Sequence, residues 1–128
     1  MPTTGTDADR VAARYVDHLF DEHDSARHVR RAATWIGFVL KAIQRATGQV
    51  PRLDRQRQVT FMYRGISFKA RYEPHAGRRG SIHIVEVART QGSPDGETVI
   101  RIASLDDAEQ AYNGLERILD QFVDRGRQ

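Results

Sequence analysis

Cysteine is absent from this chain of 128 residues, which removes disulfides, thiolate metal sites and cysteine nucleophiles at once. No long apolar run occurs either. The longest, around Trp35–Leu40 ("WIGFVL"), is far too short to cross a bilayer. The opening "MPTTGTDADR" lacks the basic stretch and apolar core of a secretory signal. These absences lead us to expect a soluble cytoplasmic protein with no membrane association.

The motifs of common chemistry are missing as well. There is no G-x-S-x-G, no Walker loop, no G-x-G-x-x-G and no H-E-x-x-H. His18, His23 and His28 are spaced by five, about 140° apart on a helix, so they share no face. The pairs His18 with Glu22 and Asp24 with His28 have i,i+4 spacing but no third ligand beside them. Glu86 is the single acid in a strand candidate. With His83 it is the one place where a divergent active site could be sought. We expect no metal, no cofactor and no enzyme.

What the chain does have is segregated charge. The net +3 divides into blocks of −4 over residues 1–25, +5 over 26–51, +6 over 52–89 and −4 over 90–128. Blocks of this kind steer an anionic partner, or neutralise one another within the fold. All basic residues but Lys41 and Lys69 are arginine. Arginine suits phosphate forks, and a GC-rich genome produces the same bias.

Hydrophobic periodicity gives the organisation. Val11, Ala12, Tyr15, Val16, Leu19 and Phe20 form a helical stripe from Asp7 onward. Asp24 or Ser25 then caps a second helix to about Thr47, ended by Gly48 and Pro51. Gly37 within it permits close packing. In "QVTFMYRGISFKARY" the period becomes two. With Arg64-Gly65 as the turn, Tyr63 faces Ile66, Phe61 faces Phe68 and Val59 faces Ala70, all on one side. A third strand over Ser81–Arg89 places Ile82 and Ile84 inward, with a bulge after Ile84 an open alternative. A fourth strand, "TVIRIA", follows the turn "GSPDGE", and the outward face of the sheet is then read as Lys69, Arg71, His83, Val85, Val87, Arg89 and Arg101. Ser104 starts a last helix whose buried side is read as Leu105, Ala108, Ala111, Tyr112, Leu115, Ile118, Leu119 and Phe122.

The expected fold is α+β: two N-terminal helices, a four-stranded antiparallel β-meander, and a C-terminal helix packed on one sheet face. Residues 7–126 form a single domain, with 1–6 and 127–128 as tails.

Two binding readings follow. In the first, nucleic acid meets the basic sheet and its turns through Arg64, Lys69, Arg71, Arg78, Arg79 and Arg89. Arg78 and Arg79 stand in "PHAGRRG", read as a hairpin tip first and a phosphate contact second, since glycine lets a backbone approach an anion. In the second, the chain is a protein-interaction module, an adaptor, inhibitor or regulatory subunit, that docks or dimerises through Val11, Tyr15, Leu19 and Phe20. "YRGI" at Tyr63–Ile66 and "SLDDAEQAY" at Ser104–Tyr112 resemble signatures of the AP2-type and phage-integrase-arm DNA-binding domains. That resemblance implies a small sheet that reads DNA and a helix that backs it. The tryptophan-and-arginine strand pattern of the AP2 family is missing, and the double-stranded-RNA-binding fold would carry lysines where Asp106 and Asp107 stand. No family is assigned on these grounds.

Overall fold

A computed structural model describes residues 6–21, 23–75, 78–87 and 96–125, with the side chains of Arg78 and Arg79 outside the description. The chain is α+β. Helices α1 (Asp7–Leu19) and α2 (Ala26–Thr47) precede strands β1 (Arg52–Leu53), β2 (Val59–Tyr63), β3 (Ile66–His75), β4 (Arg78–Glu86) and β5 (Thr98–Ile102), and helix α3 (Leu105–Arg125) closes the sequence. The sheet is an antiparallel meander in the order β1-β2-β3-β4-β5.

The helix ends follow from local chemistry. Thr6 and Asp9 form a reciprocal capping box at α1, satisfying donors that the first turn leaves open. Ser25 accepts from the His28 amide at the start of α2, and Gly48 ends that helix at φ 80°, a conformation that glycine adopts without a Cβ penalty. Gly37 lets α1 approach α2: a Cβ there would lie 2.8 Å from Asp9 Oδ1. Beside it, Lys41 Nζ lies 3.2 Å from Asp9 Oδ2.

The β2–β3 hairpin has the expected register, with Tyr63 opposite Ile66, Phe61 opposite Phe68 and Val59 opposite Ala70. Arg64 and Gly65 both take positive φ, 51° and 81°, as a type I′ hairpin turn requires. The alternation puts Val59, Phe61, Phe68, Ala70, Tyr72, Ile82, Ile84 and Ile102 in one hydrophobic cluster with Ile36, Leu40, Ile43, Leu115 and Leu119 of α2 and α3. Tyr15 and Val16 of α1 join the same cluster. Beyond Val59, β3 outruns its partner β2, and the Tyr15 hydroxyl accepts the Tyr72 amide at 3.2 Å. A sheet edge that would otherwise be open is thereby satisfied.

Three expectations are corrected. The sheet has five strands, not four. The extra strand, β1, pairs Arg52 with Thr60 and Leu53 with Val59. Its connection to β2 uses no glycine: the Asp54 carboxylate accepts the amides of Gln56 and Gln58, while Arg57 takes φ 63°. The β3–β4 hairpin is tighter than "PHAGRRG" implied, because His75 already pairs with Arg78. Arg78, Arg79 and Gly80 are therefore strand residues. Finally, Leu105 is 62% exposed, not buried.

The bulge after Ile84 lies on the β5 side. Ile84 pairs with Ile100 and Val85 with Thr98, so Val99 is the extra residue. The pairing with β3 runs through this point without a shift, which keeps Val85 on the face opposite Ile84.

Candidate nucleic-acid interface

Strand alternation that buries one face of the sheet also decides what the other face presents. Arg71 pairs with His83, and His83 pairs with Arg101, so these three side chains form a row across β3, β4 and β5. Lys69 and Val85 form the next pair along the same face. Arg71 and Arg101 are exposed and Lys69 is half-buried, whereas Ser81 and Val85 on the same face are 0% and 3% exposed. The helices pack on the other side, where the shared core cluster lies.

A polar cluster adjoins the row. Ser81 Oγ lies 3.1 Å from His75 Nε2 and 3.1 Å from His83 Nε2, and Glu73 Oε2 lies 3.1 Å from the same His83 nitrogen. An Nε2–H tautomer of His83 donates to both oxygens, leaving the Ser81 hydroxyl proton for His75. Burial holds the His83 pKa below its usual value against the opposing pull of Glu73, and the charges of Arg71 and Arg101 lower it further. His83 is therefore neutral at pH 7.

The candidate residues do not gather into one site. Lys69 and Arg71 share the sheet face opposite the helices. Arg64 instead reaches α3, with Nη1 3.1 Å from Asp120 Oδ1 and 3.3 Å from Asp124 Oδ1. The Tyr63 hydroxyl donates to the same Asp120 oxygen at 2.6 Å, and this bond is the main reason that the Tyr63 pKa is pushed up to about 12. Arg78 and Arg79 lie on β4, and Arg89 lies outside the described residues.

On α1, Tyr15 is buried and Val11 and Phe20 pack against the core. The Phe20 ring sits 5.2 Å from His28 and 6.1 Å from Tyr72. Of the expected docking stripe, Leu19 alone is exposed, at 38%. His83 and Glu86 do not converge, because Glu86 pairs with the inward Phe68 while His83 lies on the other face. Among the described residues no group of three or more His, Asp and Glu side chains is placed to hold a metal ion.

Arg101, which alternation in the sequence already placed on this face, completes the row because β5 pairs with β4 in that register. One basic feature escaped the sequence reading of the site. Arg27, Arg30 and Arg31 project from the first turns of α2 into a groove toward α3. Their i, i+3, i+4 spacing was the available signal. No helix of the described residues is long and apolar enough to cross a membrane. Comparison with family models, curated proteins and solved structures finds no match to the chain.

Proposed function

We propose that this chain is a non-catalytic nucleic-acid-binding domain that presents the open face of its sheet to a phosphate backbone. The observation that carries the reading is the row Arg71, His83 and Arg101 with Lys69 beside it. Neither Arg71 nor Arg101 belongs to an ion pair among the described residues. Neighbouring strands are about 4.8 Å apart, so the two arginine backbones are separated by about 10 Å. Two guanidinium forks at that spacing flank a strip wide enough for one sugar–phosphate chain. Such contacts fix position without reading sequence.

The polar cluster argues for binding rather than hydrolysis. A serine nucleophile needs its base on one ring nitrogen and the orienting acid on the other. Here Ser81 and Glu73 meet the same His83 nitrogen, and Ser81 is fully buried. Docking through α1 draws less support, since most of its apolar stripe is spent on the core.

Fluorescence-anisotropy titration of labelled single- and double-stranded DNA and RNA, at low and physiological salt, tests the proposal. Saturable binding that weakens in an Arg71→Ala plus Arg101→Ala variant supports it. Absence of binding at low salt overturns it.

A further inference from the structure

On the helical side of the molecule lies a groove of about 1170 Å³ between the first half of α2 and the start of α3, with Tyr72 and Gly80 at its floor. It is larger than the usual small-molecule pocket of about 300–1,000 Å³. Its α2 wall runs from Arg27 to Phe38, a length of about 16 Å at 1.5 Å per residue. That equals three turns of a helix laid alongside.

The lining is cationic toward the N-terminal end of α2 and carries the exposed apolar side chains Phe38 and Leu105. Phe38 and Leu105 are 38% and 62% exposed, two of the four exposed large hydrophobic side chains among the described residues. Arg27, Arg30 and Arg31 line the same groove nearer the start of α2, and no ion pair among the described residues engages any of the three. Among the described lining residues Glu109 is the one acid. The positive end of the α2 dipole adds to the field at the same end.

We infer that this groove docks an acidic amphipathic helix of a partner protein, with aliphatic anchors on Phe38 and Leu105 and carboxylates under Arg27, Arg30 and Arg31. Helix-in-groove recognition takes its anchors from i, i+3, i+4 and i+7 positions, and three turns supply that set. A single-stranded nucleic acid fits less well. Base stacking needs open aromatic faces, but Trp35 and Tyr72 are only 6% and 7% exposed, and the Phe38 ring already lies against Tyr112 at 5.6 Å. The inference is independent of the sheet reading, because it uses different residues on the other side of the sheet.

Trp35 lines the groove and is the only tryptophan in the chain, so its emission reports on this site. The probe is a synthetic helical peptide of about 15 residues, with leucines at i, i+3, i+4 and i+7 and glutamates elsewhere. A lysine-for-glutamate version and an oligothymidylate of similar length serve as comparators. Saturable change in Trp35 emission is expected with the glutamate peptide and not with the other two. Binding should weaken about tenfold or more in Arg27→Glu plus Arg31→Glu and in Leu105→Asp, a loss of about 1.4 kcal/mol or more. All these substitutions fall on exposed side chains, and circular dichroism checks that the fold is kept. Arg71→Ala plus Arg101→Ala should bind the peptide as the unaltered protein does, which separates this site from the sheet. The inference is overturned if no peptide binds, if both peptides bind alike, if charge reversal leaves the glutamate peptide unaffected, or if the oligonucleotide alone moves Trp35.

Discussion

On the β2–β3 hairpin, Arg64 turns at the tip toward α3 and meets Asp120 and Asp124, whereas Arg71, on the second strand, has no carboxylate partner among the described residues. Both residues are exposed and both belong to the basic middle of the chain. Pairing, not position in a loop, separates them. A turn arginine with two acids beside it is an anchor between the sheet and α3. An exposed strand arginine with no carboxylate beside it leaves its charge at the surface. The two sides of β3 repeat the lesson: Phe68 and Ala70 seal the core, while Lys69 and Arg71 between them face away.

The largest effect is expected where that alternation is broken inward. Phe68 is fully buried, stacked on Phe61 at 5.4 Å and edge-on to Phe122 at 5.8 Å. Phe68→Ala should cost about 3–5 kcal/mol in chemical denaturation, while Arg71→Ala leaves the midpoint close to that of the unaltered protein. Equal losses would end the distinction between the faces. Next comes Gly80→Ala. A Cβ at Gly80 would run into the Tyr72 ring, so a loss of about 1–3 kcal/mol is expected, together with altered Trp35 emission, since Trp35 Nε1 donates to the Gly80 carbonyl.

Asp120→Asn sharpens the account of the anchor. The Tyr63 pKa, now about 12, should fall toward the ordinary tyrosine value, as ultraviolet titration would read. Because the folded Tyr63 holds its proton more tightly, its contribution to stability is complete below pH 10 and lost as pH rises toward 12. The Asp120 carboxyl is lowered in pKa, chiefly by the Tyr63 hydrogen bond, so its share is present at neutral pH and lost in acid. Stability that does not change between pH 10 and 12 would contradict the bond.

The smallest effect concerns His83. Its folded pKa lies below the unfolded value, so the unfolded chain binds the proton first. Stability should decline as pH falls from about 6.5. A bound polyanion favours the charged imidazole, so affinity for nucleic acid should rise over the same window. His83→Gln should remove both trends.

The hairpin was legible in the sequence because a two-residue turn fixes register, and both alternations agreed on it. The helix ends were legible because Ser25, Gly48 and Ser104 act through neighbours in sequence. Strand β1 was not, since two residues show no period and Asp54 and Arg57 make its turn without glycine. The exposure of Leu105 was not, since the helical pattern says which face is apolar but not how far the neighbouring helix extends to cover it. Of the candidate site, Lys69, Arg71 and Arg101 could be placed from alternation alone. The capture of Arg64 could not, because its partner Asp120 lies 56 residues further along the chain. The groove over α2 depends on how α2 and α3 pack, which no local pattern records.

The most direct test is the salt dependence of single-stranded DNA binding, compared among the unaltered protein, Arg64→Ala and Arg71→Ala plus Arg101→Ala. Each phosphate contact contributes about 0.7 to the slope of log affinity against log salt. The open-face account predicts that removing Arg71 and Arg101 flattens the slope by about 1.4, while removing Arg64 leaves it unchanged. An unchanged slope in the double variant, or a flattened one in Arg64→Ala, would contradict it.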